Sequence, residues 1–396
     1  MRTLIISDLH LGSSARTDLL SRPHVRARLL EAASGADRVV LLGDVLELRH
    51  GPPRDALAVA RPFFEELGRA LAGAEIVIVA GNHDHALIAP WLARRSEQQR
   101  QGALELENIV PAAEASPMLA RLAEAAAPAR VLAAYPGMWV REDVYAMHGH
   151  YLDCHLTMPT LERLSVGAMC RLLARPPASF ASPDDYEAVT APLYAWRQTV
   201  AQSARTGSIL NGRATTDAWY ALRGARPPSE RAPASANGAR PRRGSFARAR
   251  RTLRRRALVA AFPLAIAALN RAGVGPLSPV VSVSELRRAG LRAMAEVSRR
   301  LGVDGSYLVF GHTHRAGPLP GDEDPQWAAA GAGEGARLVN TGCWTYDSAF
   351  LTARPGESPY WPGTCVVVED TGAPVIERLL LDRTREQLRA LTAPAG

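Results

Sequence analysis

Apolar and polar positions follow two rhythms along this chain, and the change of rhythm marks its parts. Short runs of β-branched and aliphatic residues at 3–7, 39–42 and 75–80 end abruptly in glycine or acidic residues. Such runs predict strands buried on both faces. Between them lie stretches of helical spacing at about 23–33 and 55–71, the second turning Phe63, Phe64 and Leu67 toward a sheet. Helices are also predicted at about 86–99 and 117–127, and strands at 130–135 and 139–147. From about 151 to 302 the pattern is mostly helical, with helices at 160–173 and 183–202. Ser282 and Glu285 make a capping box for a further helix running to about Leu301. Strand rhythm returns at 307–310 and continues at 336–340, 364–369 and 375–381. Strands alternating with helices predict an α/β fold. Its principal domain is discontinuous, residues 1–150 with 303–396, and a mainly helical insertion of residues 151–302 interrupts it.

The strand ends carry the chemistry. One apolar run after another stops and releases side chains of metal-ligand type: Asp8 and His10, Asp44, Asn82 and His83, His148, then His312 and His314. A single carboxylate after a strand is commonly a turn former. The recurrence is what counts, because ligands of open α/β sheets collect at the carboxyl ends of strands. Residues i and i+2 of an extended segment point the same way, so Asp8 and His10 can hold one ion together. Two divalent ions about 3.5–4 Å apart need a shared anionic ligand, and Asp44, in the middle of the series, is expected to bridge them. Imidazole and carboxylate donors without thiolate favour Mn, Fe, Zn or Co, with Mn the first expectation. Asn82 adds a neutral oxygen donor. A water bridging such ions ionises near neutral pH and becomes a nucleophile.

The series D-x-H, G-D, G-N-H-D, H-G-H and G-H-T-H resembles the calcineurin-like metallophosphoesterase superfamily over about 1–150 and 303–385. The resemblance implies a four-layer α/β/β/α sandwich of two mixed sheets, with the site at the strand ends. It implies one metal on Asp8, His10, Asp44 and His314, and a second on Asp44, Asn82, His148 and His312. His83 would stand near the leaving-group oxygen as general acid or hydrogen-bond donor, with Asp84 fixing its tautomer. The activity implied is hydrolysis of phosphoester or pyrophosphate bonds, a metal-bridging hydroxide attacking phosphorus in line. The Asn340-Thr341-Gly342 stretch resembles the Asn-x-Gly turn of that family. Asp-Leu-His-Leu-Gly, Gly-Asp-x-x-Glu and the helical insertion are similar to the UDP-2,3-diacylglucosamine pyrophosphatase branch, which acts on a lipid-linked nucleotide. That branch carries Arg where this chain has His83 and Asp where it has His150; Gly-Asn-His-Asp instead resembles phosphomonoesterases, phosphodiesterases and double-strand-break nucleases.

Nearby residues take humbler expectations. His85 and His150 flank the ligands and are either substrate contacts or, more simply, exposed loop histidines. Glu47 is expected to hydrogen-bond a ligand rather than to bind metal, and Cys154 with His155 to pack.

Composition narrows the picture further. The formal net charge is +8 and the basic residues are overwhelmingly Arg, which suits a phosphorylated or anionic partner. Cys154, Cys170, Cys343 and Cys365 form no C-x-x-C pair, so reduced thiols in a cytoplasmic protein are expected. The first strand begins too early for a cleavable signal peptide, and no apolar run reaches the roughly 20 residues of a membrane span. Residues 224–245 read as a flexible Arg- and Pro-rich loop. Residues 226–256 hold eleven arginines against one acid, Glu230, and the apolar run 257–269 follows. That run is either a core helix or a hairpin at an anionic membrane surface beside a basic anchor. The segment 248–277 is expected over the site, because the insertion leaves after His148 and returns before His312. Nucleic acid is a less favoured partner, since the basic run lacks aromatic residues for stacking. Three functions follow: a dinuclear-metal hydrolase of a small or lipid-linked phosphoester, a nuclease of the same fold, and a non-catalytic protein-binding scaffold.

Overall fold

Three adjacent parallel strands carry the first half of the sheet: β1 (Thr3–Ile6), β2 (Arg38–Leu42) and β3 (Glu75–Val79). The computed structural model describes residues 1–97, 102–203, 261–329, 335–348, 350–352 and 354–393. Next come β4 (Glu107–Pro111), β5 (Arg130–Arg141), β6 (Val144–Met147) and β7 (Tyr307–Phe310). The chain then forms β8 (Ala316–Gly317), β9 (Arg337–Thr341), β10 (Thr364–Val368) and β11 (Val375–Arg378). The path of hydrogen-bonded neighbours is β11-β10-β1-β2-β3-β5-β6-β7-β9-β8, with β4 paired to β5. Strands β6, β7 and β9 are parallel, and β10 runs antiparallel to β1.

Two separate sheets were expected, yet the hydrogen bonding runs unbroken. The reason is β5, which pairs β3 through residues 130–134 and β6 through residues 137–141. Pro136 and Gly137 suggest a break in the sequence, but Pro136 falls at the register shift opposite Glu107, where a strand tolerates proline. The turn comes later, at Glu142-Asp143. Strand β4 escaped the sequence reading because it is half-exposed and ends in Pro111, so it carries no buried run.

Alternation along the strands divides their side chains between faces. Leu4, Ile6, Val39, Leu41, Ile76 and Ile78 enter one core cluster, with Phe63, Phe64 and Leu67 of α2 (Pro53–Ala70) and Leu29 of α1 (Pro23–Ala33). Tyr145, Met147, Leu308, Phe310 and Leu338 enter a second. The intervening residues meet in a third cluster, where Ile5, Val40, Val77 and Val366 pack with Val144, Val309 and Val339. Strands at both ends of the path thus share one apolar interior. Each fully buried Val, Leu or Ile contributes about 1.5–3 kcal/mol to holding it.

The remaining helices of the first part are α3 (Ala89–Glu97), α4 (Ala112–Ala115) and α5 (Pro117–Ala125). Between β6 and β7 lie α6 (Leu161–Leu172), α7 (Pro183–Ser203), helical residues 261–271 and α8 (Val283–Leu301). Ser282 caps α8 by accepting from the Glu285 N–H at 3.0 Å. A last helix, α9 (Arg385–Leu391), has a full capping box at Thr384 and Gln387, a signal the sequence reading passed over. The expected loop at 224–245 and the arginine run lie outside the described residues. Of the apolar run, residues 261–269 are described; only Ile266 is buried and Leu264 is 74% exposed, so that part is not a core helix. No helix among the described residues is long and apolar enough to cross a membrane.

Candidate metal centre

Because β1, β2 and β3 are parallel and in register, their C-terminal ends release Asp8, Asp44 and Asn82 on one edge. β6 and β7, also parallel, release His148 and His312. The loops are stitched by backbone: Asp8 N–H donates to Gly43 O at 3.1 Å, His10 N–H to Asp44 O at 2.8 Å and Leu11 N–H to Val45 O at 2.9 Å. Asp8, His10, Asp44, His312 and His314 all sit at positive φ, between 47° and 64°. That region is uncommon for residues with a side chain, and strain of this kind gathers at functional sites. Gly81 must lack a side chain, because a Cβ there would run into the Asp44 carboxylate and the His148 ring.

The histidines each have one nitrogen engaged away from the centre and the other turned in. His10 Nδ1 lies 3.1 Å from Glu47 Oε2 while its Nε2 lies 3.7 Å from Asp44 Oδ2 and 3.3 Å from His314 Nε2. His148 Nδ1 meets Leu42 O at 2.9 Å, and its Nε2 lies 3.3 Å from Asp44 Oδ2 and 3.2 Å from Asn82 Oδ1. His312 Nε2 meets Asp153 Oδ2 at 3.1 Å, and its Nδ1 lies 3.0 Å from Asn82 Oδ1. His314 Nε2 lies 3.2 Å from Asp8 Oδ1, with Thr345 Oγ1 3.4 Å from its Nδ1. This arrangement, one ring nitrogen anchored on oxygen so that the other is presented, is how proteins orient metal-binding imidazoles. Two sets could each hold an ion, Asp8 with His10 and His314, and Asp44 with His148 and His312. Asp44 Oδ2 lies between them, near both His10 and His148.

Electrostatics give the same picture. Asp8 Oδ1 is buried, with His314 Nε2 3.2 Å away. Despite burial, His314 and His148 hold the Asp8 carboxyl at about 2, and His148 and His83 hold Asp44 well below the usual carboxylate range. Buried carboxylates kept ionised beside imidazoles are what a cation site requires. The donor set, imidazole, carboxylate and one amide oxygen, therefore fits divalent metal ions.

His83 and Asp84 depart from expectation. No Asp84–His83 contact is made. Asp84 accepts instead from the backbone: Oδ1 from Gly81 N–H at 2.7 Å and Asp44 N–H at 3.3 Å, Oδ2 from Val45 N–H at 2.7 Å and Leu46 N–H at 3.2 Å. It ties the β3 loop to the β2 loop, because its short side chain is surrounded by their N–H groups before it can reach His83. Burial and the Asp44 charge push its pKa up to about 6, against the pull of those N–H groups. Glu47 holds His83 instead, its Oε2 2.8 Å from Nδ1. Burial lowers the His83 pKa to about 4, against the pull of Glu47. With His10 and Asp44, His83 also forms a third set of potential ligands.

His85 and His150 are not exposed loop residues. Both are buried, His85 Nε2 at 2.9 Å from Glu187 Oε2 of α7 and His150 beside Tyr135 and Tyr151. Glu187 also accepts from the hydroxyls of Tyr135 and Tyr151, at 2.5 and 2.7 Å. Neither His85 nor His150 lines the cavity over the site. That cavity, about 210 Å³, is bounded by Asp44, Asn82, His83, His312 and His314 on its floor. Its walls come from the insertion, Leu152, Leu156 and Glu162 on one side and Leu286 and Leu291 of α8 on another. None of the described part of 248–277 lines it; Asn270 closes that segment on itself through the Leu277 backbone. Cys154 and His155 pack as expected, beside Phe180 and Tyr186.

Sequence reasoning missed Asp153, Arg49, Glu187, Arg315 and Trp327. Asp153, five residues beyond His148, was legible only as a carboxylate near a ligand. Asn340 does make the expected turn: its Nδ2 donates to Gly311 O at 2.9 Å and its Oδ1 accepts from Gly342 N–H at 2.9 Å.

The family model described as calcineurin-like phosphoesterase matches residues 1–167. Residues 1–167 are thus similar to calcineurin-like phosphoesterases. No curated protein matches it. Among solved structures, a cold-active protein-tyrosine phosphatase of a psychrophilic Shewanella species is similar at 11% identity and a TM-score of 0.26. That alignment covers 95% of this chain and 80% of the other, and at so low a score it carries no argument. The matched residues include five of ligand type, Asp8, His10, Asp44, Asn82 and His148, while His312 and His314 lie beyond the match.

Proposed function

We propose that this protein hydrolyses phosphoester bonds with two divalent metal ions held on either side of Asp44. One observation supports this above the rest: Asp8 with His10 and His314, and Asp44 with His148 and His312, each bring ligand atoms within 4.8 Å of one another, and His10 Nε2 and His148 Nε2 both approach Asp44 Oδ2, at 3.7 and 3.3 Å. Cations among them would neutralise carboxylates that are otherwise buried close together. A divalent pair, when bound, supplies Lewis acidity and water acidic enough to ionise near neutral pH. Mn is the first metal to test, with Fe, Zn and Co also suited to these donors.

The chain's own groups do the rest. Glu47 orients His10 and His83 together through their Nδ1 atoms. His83, on the cavity floor, thereby keeps Nε2 as its nitrogen for a substrate oxygen; with Nδ1–H on Glu47 the neutral ring accepts there, and it donates to a leaving group only after taking up a proton. Asp153 orients His312. The small cavity walled by the insertion suits a compact phosphoester better than a nucleic-acid strand. The same reading extends to the fold. The third core cluster, with helices outside the other two, supports a sheet folded on itself as an α/β/β/α sandwich. Residues 1–150 and 303–396 would form the catalytic domain and 151–302 an insertion over its mouth.

The test is metal analysis of the purified full-length protein with hydrolysis of 4-nitrophenyl phosphate and bis(4-nitrophenyl) phosphate in added Mn. Two ions per chain are expected, and Asp44→Asn should remove most activity and at least one ion. Full activity with no more than one ion per chain in a metal-replete preparation overturns the reading.

A further inference from the structure

The cavity over the metal centre has a second polar region that the proposed reaction does not use. On one wall stand Arg315, Trp327, Arg287 and Tyr360. Arg315 is 5% exposed, its guanidinium lies 4.7 Å over the Trp327 ring, and its Nη2 donates to Asp322 at 2.8 Å. Its Nε and Nη1 are buried and have no hydrogen-bond partner among the described residues. The same holds for Arg287 Nε and for the indole Nε1 of Trp327. Arg287 lies over the Tyr360 ring at 5.5 Å.

Four buried donors without acceptors, two of them on one guanidinium, are costly to leave unsatisfied. Arg26, buried elsewhere, has its donors met, with Nε and Nη2 on Glu66 and Nη1 on the Leu20 and Ser21 carbonyls, whereas Arg163 shares the unpartnered state of Arg315 but stands on no cavity with a candidate metal centre. Among the described residues, Asp322 is the carboxylate that Arg315 meets. What the wall lacks is a multivalent oxyanion.

We propose that Arg315, Arg287 and Trp327 form a subsite for a second phosphoryl group on the substrate. It rests on the reading of the centre as a phosphoester hydrolase: one phosphoryl group would sit at the metals, the other on this wall. Two arginines and an indole N–H suit the several oxygens and double charge of a phosphate better than a carboxylate. Leu286, Leu291 and Phe310, which line the same cavity, give the connecting part of the substrate an apolar rest. The substrate class is therefore a doubly phosphorylated compound rather than a simple monoester.

The test separates this subsite from the reaction by using metal-stripped full-length protein, in which no hydrolysis occurs. Phenylphosphonate and benzoate are titrated calorimetrically into the parent, Arg315→Gln and Trp327→Phe, each variant checked for a parent-like melting curve. Phenylphosphonate should bind the parent, and Arg315→Gln should weaken it about tenfold to a hundredfold. Trp327→Phe, which keeps the ring stack but deletes one donor, should weaken it less. No phenylphosphonate binding to the parent, equal binding by both variants and the parent, or tighter binding of benzoate overturns the subsite. If Arg315→Gln does not fold, Trp327→Phe decides alone. Failure of the hydrolase reading would show as absent turnover in the metal-loaded parent, whatever these titrations give.

Discussion

Replacing Asp84 tests whether that carboxylate serves the fold or His83. The residue accepts four backbone N–H donors, two at 2.7 Å and two at 3.2–3.3 Å, all within loops that carry ligands. A hydrogen bond to a buried charged group is worth about 1.5–3 kcal/mol, and a stranded buried donor costs a similar amount. In Asp84→Asn the amide oxygen can keep one pair of donors while the NH2 group faces the other pair. Losing one short and one long bond should cost about 3–6 kcal/mol. That cost is offset only in part, because the neutral amide relieves the burial and Asp44 repulsion that raise the Asp84 pKa. Asp84→Ala, which strands all four donors, should cost more. The assay is urea unfolding of metal-stripped protein at pH 8, above the Asp84 pKa of about 6, so that metal loss does not enter and the carboxyl is ionised. A carboxylate that served only His83 would leave stability untouched and lower turnover. An unfolding midpoint for Asp84→Asn equal to the parent's would refute the clamp and return Asp84 to the catalytic role.

Two further substitutions probe the supports of the centre. Glu47→Gln keeps the shape but removes the charge between His10 and His83, and should weaken metal affinity about 10- to 100-fold; a metal titration with an unchanged affinity would show that Glu47 is a bystander. Glu187→Gln exchanges the acceptor shared by His85, Tyr135 and Tyr151 for an amide. It should destabilise the protein by about 1–3 kcal/mol in denaturant unfolding, and no change would mean the buried network is slack.

What the sequence revealed and what it hid follow from the range of the interactions involved. Strands such as 39–42 and 75–79 were legible because burial on both faces makes a continuous apolar run, which needs no knowledge of partners. The candidate ligands were legible because each follows such a run, so one local rule picked out Asp8, Asp44, Asn82, His148 and His312, which the fold brings to one edge. Side-chain partnerships were not legible in the same way. Nothing local tells that Asp84 is ringed by N–H groups thirty-eight to forty residues away while Glu47 reaches His83. His85 read as a loop histidine because the residue that buries it, Glu187, comes 102 positions later, on a helix whose placement the sequence pattern does not give. The unbroken sheet was hidden for a related reason: Pro136 and Gly137 are turn residues by propensity, and pairing with β4, and of Gly137 with Met147 of β6, keeps them extended.

The backbone of the centre links these points to function. Asp8, His10, Asp44, His312 and His314 occupy left-handed conformations. For residues with a Cβ that costs about 1–2 kcal/mol each, so the five together cost roughly 5–10 kcal/mol. This is comparable to the whole stability of a typical domain, about 5–15 kcal/mol. Something must offset it, and the offsets are specific: backbone bonds from Asp8, His10 and Leu11 to the β2 loop, and the Asp84 clamp between the β2 and β3 loops. On the β7 side the His312 N–H donates to Asp8 Oδ2 at 2.9 Å, and Asn340 holds the Gly311 carbonyl. All but the Asn340 contact, which comes from β9, join one ligand-bearing loop to another rather than to the core beneath. The loops can therefore hold their strained shape only together. Loss of Asp84 or Asn340, which hold these loops without being candidate ligands, is thus expected to loosen several candidate ligands at once rather than one alone.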